Sequence, residues 1–175
     1  MNSILTAIIT VIDGFMEKVG RLVSWGALAL MLLVCGDVLL RYLFSLSYVA
    51  SRELEWHLFA LLFLLGAGYT LKHDKHVRVD VFYQGFPPRL KAFINVAGCL
   101  LLLFPGCFLV LKTSLPSVIQ AWQIGEGSPD PGGIPARYLI KAVLPLGFAL
   151  IAVQGFSFFC RSLLGCAGIR LRDKG

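Results

Sequence analysis

The chain has 175 residues, of which 57% are hydrophobic and only 15% are charged, and its mean hydropathy is +0.78. Four apolar stretches occupy almost half of it, each close to the roughly 20 residues that a helix needs to cross the hydrocarbon core of a bilayer. A soluble domain of this length could not hide four such segments. The net charge of +6 does not indicate nucleic-acid binding, because the basic residues lie mostly in the short segments between apolar stretches.

The apolar stretches predict four membrane-spanning helices. In lipid every backbone N–H and C=O group must bond within its own segment, and a helix achieves this. The segments between the spans are too short to bury a core of their own. The sequence therefore predicts an all-α integral membrane protein with one four-helix domain. The spans are residues 22–44, 54–71, 92–111 and 142–160.

An amphipathic pattern over residues 1–20 precedes the first span. Its polar residues recur at intervals of three and four, opposite a face of isoleucine, phenylalanine and valine. This pattern predicts an N-terminal surface helix lying along the membrane. The alternative is that it extends the first span into water. No basic residue precedes the apolar stretch, which argues against a signal peptide.

A second surface helix is predicted between spans 3 and 4. Pro116 fits the first turn of such a helix. Val118, Ile119 and Trp122 then share one face, and a tryptophan at this position suits the interface between membrane and water. We therefore expect an interfacial helix that leads into the turn-rich segment 125–135.

The distribution of lysine and arginine predicts the topology. If the N-terminus is cytoplasmic, 11 basic residues lie on the cytoplasmic side and five on the other. The positive-inside rule then places both termini in the cytoplasm. The five residues on the outer side are Arg41, Arg52, Lys112, Arg137 and Lys141.

The five cysteines are scattered, lie mostly inside spans and form no Cys-x-x-Cys pair. Such a set indicates neither a disulfide framework nor a metal site. Buried cysteine commonly behaves as a small hydrophobic residue. We expect no cofactor, no metal and no catalytic residue.

Polar residues near the outer ends of spans 1 and 2 form the main candidate site. Asp37 and Arg41 are four residues apart, an order that favours an ion pair on a helix. The short link between the spans predicts that they join one cluster with charged residues of span 2. The cluster is predicted to contain Asp37, Arg41, Glu53, Glu55 and His57.

Three interpretations of this cluster remain open. A proton or ion pathway would need polar residues continuing inward, and span 2 has only Tyr69 and Thr70 near its far end. A haem site would need a second histidine at matching depth, and His73 and His76 lie at the opposite end. The third interpretation is that the cluster ties the two helices together or docks a partner subunit.

Two loops carry further candidate residues. After span 2, His76, Arg78 and Asp80 alternate with three valines, which indicates either a packed cytoplasmic element or a solvated basic loop. On the outer side, the turn-rich segment contains Glu126 and Asp130, and Arg137 follows it. Neither spacing is a metal or phosphate motif.

Several segments in this order resemble the small membrane subunit of tripartite ATP-independent periplasmic (TRAP) transporters. The resemblance covers most of the chain, and no single motif is diagnostic. The segments are Glu53-Leu-Glu-Trp-His57, Leu62-Phe-Leu-Leu-Gly-Ala-Gly-Tyr69, His76-Val-Arg-Val-Asp-Val81, Gly127-Ser-Pro-Asp-Pro131 and Pro135-Ala-Arg-Tyr-Leu-Ile-Lys141.

The resemblance implies a non-enzymatic subunit of the bacterial inner membrane. Its implied partners are a large membrane subunit, which holds the sodium and substrate sites, and a periplasmic substrate-binding protein that delivers an organic acid. The small subunit would brace the large one, and its outer loop with Glu126, Asp130 and Arg137 would help to dock the binding protein. The alternatives are a cytochrome b-like membrane anchor of an electron-transfer complex and a stand-alone small transporter.

Overall fold

The computed structural model describes residues 2–73 and 86–166, and within these ranges the chain is helical without any strand. The helices are α1 (Asn2–Phe44), α2 (Val49–Lys72), α3 (Pro88–Gly98), a π-helical turn (Cys99–Leu103), α4 (Phe104–Gln123) and α5 (Tyr138–Cys166).

Four helical segments are long and apolar enough to cross a membrane, as the sequence predicts. The shortest has 24 residues and the longest has 40. The four predicted spans each fall inside one of them, so the all-α, four-span fold class is confirmed. The segments are Leu5–Phe44, Val49–Lys72, Arg89–Gln123 and Tyr138–Cys166.

The prediction of a separate N-terminal surface helix over residues 1–20 is wrong, because α1 runs without a break from Asn2 to Phe44. At 1.5 Å per residue it is about 65 Å long. Its first turns pack against the protein, where Ile9 is buried in a small core with Cys160 and Leu164 of α5. The amphipathic pattern therefore reflects contact with α5 and α2 rather than an independent membrane-surface segment.

The interfacial helix predicted after span 3 is likewise not a separate element. Its residues continue α4, and Pro116 lies inside that helix instead of starting a new one. A proline in a helix removes one backbone hydrogen bond and can bend the helix without ending it. At this end of α4 the rings of Trp122 and Tyr138 lie 4.7 Å apart between centroids.

Pro105 explains the π-helical turn between α3 and α4. Proline has no N–H to donate to the carbonyl four residues earlier, so the regular helical pattern fails at this point. The N–H of Phe104 instead bonds the carbonyl of Cys99, five residues back. The widened turn places Leu103 over Gly155 of α5, where an added Cβ would lie 2.5 Å from the leucine Cδ2.

Helix α5 is the centre of the bundle. It packs against α1, α2, α3 and α4, and one third of its most apolar stretch is buried, against 6–11% for the other spans. Small residues permit this close packing. A Cβ on Gly147 would lie 2.9 Å from both Cβ and the carbonyl oxygen of Leu64 in α2. By contrast, Gly98 and Gly106 have open space beside them.

Candidate functional site

The polar side chains of the described residues gather at the two ends of the bundle. We call the first group the loop-side cluster, which contains Glu53, Glu126, Ser128, Ile134 and Lys141. We call the second the termini-side cluster, which contains Asp13, Glu17, Lys72, Gln154, Ser157 and Arg161. Between them, residues 58–68 of α2 are wholly apolar, so the two clusters are separated by a hydrophobic layer.

Glu53 is the centre of the loop-side cluster. It lies in the second turn of α2 and is 8% exposed. Its carboxylate accepts a hydrogen bond from the Ser128 hydroxyl and another, 2.6 Å long, from the backbone N–H of Ile134. These partners are 75 and 81 positions away in the chain. Glu53 therefore clamps the loop before α5 onto the start of α2.

Hydrogen bonds within the loop hold the segment that Glu53 clamps. The N–H of Arg137 donates to the carbonyl of Glu126 at 2.8 Å, and the N–H of Ser128 donates to the carbonyl of Ile134 at 3.2 Å. Lys141 Nζ lies 2.5 Å from Glu126 Oε2, which ties the loop to α5. The turn residues predicted from the sequence therefore form a fixed structure rather than an open linker.

The predicted docking residues occupy different positions in this loop. Glu126 is half-buried and paired with Lys141. Arg137 is half-buried and fixed through its backbone. Asp130 is exposed, and its N–H donates to Ser128 Oγ at 3.2 Å. Of these three, Asp130 presents the most accessible charge.

Asp37 and Arg41 form the ion pair that their spacing predicts. The Asp37 side chain is 2% exposed, whereas that of Arg41 is 48% exposed. Within residues 2–73 and 86–166, no hydrogen bond or ion pair joins this pair to Glu53 or His57. The predicted single cluster is therefore two separate groups in the structure.

The two groups are separate because Asp37 and Glu53 lie at different depths along their helices and the Glu53 side chain points toward the loop. Asp37 lies seven residues before the end of α1, about 10 Å along the helix, whereas Glu53 is only four residues into α2. Glu53 also directs its carboxylate toward the loop. His57 bonds within its own helix, with Nδ1 2.5 Å from the Glu53 carbonyl oxygen. Glu55 is half-buried and belongs to neither group.

Asp13 is the centre of the termini-side cluster, which the sequence analysis did not identify. Its side chain accepts hydrogen bonds of 3.0 Å from Gln154 Nε2 and Ser157 Oγ, and it pairs with Arg161. Asp13 is 8% exposed, Gln154 2% and Ser157 0%. A signal was present in the sequence. Gln154, Ser157 and Arg161 follow the i, i+3, i+7 spacing of one helix face, which can meet an acidic residue of α1.

A second ion pair ties α1 to the end of α2. Lys72 Nζ contacts the Glu17 carboxylate, and His73 Nε2 lies 3.5 Å from the same group. Together with Asp13, this pair anchors the first third of α1 to both neighbouring helices. It gives the polar face of residues 1–20 a structural role within the protein.

Candidate metal and haem ligands are dispersed among the described residues. No group of three or more His, Cys, Asp or Glu side chains in residues 2–73 and 86–166 could hold a metal ion. His57 lies in α2 and His73 directly follows its C-terminal end, 16 residues later and about 24 Å along the axis, so these two histidines cannot ligate one haem. The predicted cytoplasmic element with His76, Arg78 and Asp80 lies outside the described residues.

Comparisons with known proteins find one family and a relative from that family. The family described as tripartite ATP-independent periplasmic transporters, DctQ component, matches residues 30–165. The C4-dicarboxylate TRAP transporter small permease protein DctQ of Vibrio cholerae serotype O1 is 28% identical over 147 residues, a match covering 72% of this chain and 62% of that protein. The chain thus spans less than two thirds of that relative's length. Because the family match covers most of the chain, this protein belongs to the DctQ-component family of the tripartite ATP-independent periplasmic transporters.

Proposed function

We propose that the chain is the small, non-enzymatic permease subunit of a TRAP transporter in the bacterial inner membrane, and that it braces the large subunit. The observation that carries the proposal is the position of its polar groups. The buried carboxylates of Asp13, Asp37 and Glu53 each pair with groups of the same chain. A polar route between the two ends would need groups within the apolar layer of α2. This arrangement suits a scaffold better than a conduit.

The exposed face of α1 is the proposed contact surface for the large subunit. Helix α1 packs against α2 and α5 along one side, and its remaining apolar side chains are open. Arg41 lies three residues before the end of α1 and is half-exposed. Asp37 already neutralises this charge, so a partner helix can cover the face without burying an unpaired charge. The exposed apolar side chains include Leu22, Trp25, Met31, Leu39 and Leu43.

The loop between α4 and α5 is the proposed contact for the periplasmic substrate-binding protein. A surface held in one conformation before docking loses less conformational entropy when a partner binds. The Glu53 clamp holds this loop, and Asp130 presents an exposed charge on it. Docking here requires the loop to be periplasmic and both termini cytoplasmic, which the distribution of basic residues favours.

The transported solute is proposed to be an organic acid recognised by the other chains. The Vibrio cholerae relative carries C4-dicarboxylate in its name. Sodium coupling is assigned to the large subunit. The positions of the polar groups favour neither alternative function, the cytochrome b-like membrane anchor or the stand-alone small transporter.

Reconstitution tests this function. The chain, its large subunit and its binding protein, placed together in liposomes with a sodium gradient, should take up the acid, and the chain alone should not. Uptake by the chain alone would establish a stand-alone transporter, and a Soret band in its absorption spectrum would establish a haem protein. Either result contradicts the proposal.

Charge reversal tests the two contact surfaces. Arg41→Glu should lower recovery of the large subunit with the small one, and Glu53→Lys should lower uptake by releasing the loop. Lys112→Glu is a matched control, because Lys112 is exposed on α4 outside both surfaces. Full assembly and full uptake in both variants would remove the role assigned to these residues.

A further inference from the structure

An open cleft of about 420 Å³ lies between the first two turns of α2 and the loop that Glu53 clamps. Two arginines and two acidic residues line it, together with a tryptophan, a valine and a proline. The charged residues and the tryptophan are Arg52, Glu53, Trp56, Asp130 and Arg137. This cleft has no part in the bracing role proposed above, and it shares Glu53 and Asp130 with the loop surface proposed to contact the binding protein.

The length of α2 places the cleft at the boundary between lipid headgroups and acyl chains. Helix α2 has 24 residues and is about 36 Å long, so it exceeds a hydrocarbon core of about 30 Å by about 3 Å at each end. Val49 then lies at headgroup level, Arg52 begins about 2 Å inside the boundary with a side chain long enough to reach the headgroups, and Trp56 begins about 7 Å inside it. Trp56 is 42% exposed, a typical position for an interfacial tryptophan.

The charges of the cleft balance. Two arginines and two acidic residues line the cleft, so the lining has no net formal charge. Glu53 is already engaged by Ser128 and Ile134, which fixes its carboxylate on the loop side. Arg52 and Asp130 are exposed, and Arg137 is half-buried. A ligand with one negative and one positive group fits this lining better than a simple anion, which would be repelled by Asp130.

We propose that the cleft binds the headgroup of a zwitterionic phospholipid, of the phosphatidylethanolamine type, from the adjacent leaflet. The phosphate lies between Arg52 and Arg137, because planar guanidinium groups bond phosphate oxygens in pairs. The primary ammonium faces Asp130 and donates hydrogen bonds to it. Trp56 covers the glycerol region. The site needs no partner chain.

Native mass spectrometry of the full-length chain tests the proposal. The detergent-purified protein is incubated with equal amounts of phosphatidylethanolamine and phosphatidylglycerol that carry identical acyl chains. The wild-type chain should retain one phosphatidylethanolamine in preference to phosphatidylglycerol. Arg52→Gln/Arg137→Gln should retain about tenfold less of it, because two charge-assisted contacts to phosphate are lost. Lys112→Gln removes a charge outside the cleft and should behave like wild type.

Asp130→Asn supplies a second test that does not threaten folding, since this side chain is exposed. Loss of the carboxylate should remove the preference for phosphatidylethanolamine over phosphatidylglycerol while lipid binding persists. Equal retention of the two lipids by the wild-type chain would overturn the proposal. Displacement of the lipid by millimolar inorganic phosphate would also overturn it, because the site would then be a simple anion site. An Arg52→Gln/Arg137→Gln variant that binds like Lys112→Gln would do the same.

Discussion

The loop-side and termini-side clusters both join segments that are far apart in the chain, but they use different kinds of partner group. In each, one carboxylate holds together segments that are far apart in the chain. Glu53 bonds a hydroxyl and a backbone N–H of a loop, 75 and 81 positions away. Asp13 bonds three side chains on one face of a helix, 141 to 148 positions away.

The difference follows from the backbone of the partner segment. A helix uses its own N–H groups internally, so it can offer a neighbouring carboxylate only side chains. A loop has free backbone groups and can offer them directly. The contacts of Asp13 therefore depend on the identity of three residues, whereas the hydrogen bonds of Glu53 depend mainly on the path of the loop. We expect loss of Asp13 to weaken the whole bundle and loss of Glu53 to affect the loop.

The largest effect is expected for Asp13→Ala. Gln154 and Ser157 lose a buried acceptor, and Arg161 loses its carboxylate partner. The cost should be roughly 2–4 kcal/mol, less than for a fully buried ion pair because the Arg161 side chain is 34% exposed. Thermal unfolding of the purified chain measures it. Thr10→Ala is the control, since Thr10 is exposed on the same helix. Equal melting temperatures for both variants would contradict this ranking.

Gly147→Ala should have the next largest effect on stability, and it measures how tightly α2 and α5 pack. The added Cβ would lie 2.9 Å from Leu64, so α2 and α5 must separate slightly. Overpacking of this kind costs about 1–3 kcal/mol. Gly106→Ala is the matched control, because no atom lies within 4 Å of the new Cβ. The same unfolding measurement compares them, and a Gly147→Ala variant as stable as Gly106→Ala would show that this contact is loose.

A local effect is expected for Glu53→Gln. The amide replaces one acceptor oxygen with a donor, so at least one of the bonds to Ser128 and Ile134 is lost. Hydrogen exchange should become faster across residues 124–137 while the melting temperature changes little. Glu55→Gln changes the same functional group two residues away, outside the clamp, and should leave exchange unaltered. Unchanged exchange in Glu53→Gln would mean that the loop holds its conformation without the clamp.

The smallest effect is expected for Lys72→Met. Its partner Glu17 has a side chain 40% exposed, and ion pairs of this kind contribute about 1 kcal/mol or less. His73 also remains beside Glu17. High salt should weaken the wild-type contact in the same way. If Lys72→Met lowered the stability to unfolding as much as Asp13→Ala does, the Glu17 pair, rather than Asp13, would anchor α1.

The predictions that held depend on properties of single segments. The apolar length of each span, the i, i+4 pair of Asp37 and Arg41, and the turn residues before α5 are all local in the chain. The two wrong predictions, of separate surface helices before span 1 and after span 3, have a local cause as well. Residues 1–20 and the segment after Pro116 carry patterns that suit either a separate surface helix or a continuing one, and contacts with α5 and α2 decide between them for α1.

The sequence by itself determined that this chain is a four-span, all-helical membrane protein, because lipid leaves the backbone of an apolar 20-residue segment no other way to satisfy its polar groups. Tertiary structure decided which polar residues meet. Asp13 reaches Gln154 and Glu53 reaches Ile134 across long separations, and these pairings depend on the rotation and depth of packed helices. Neither quantity is encoded in the spacing of residues along one segment.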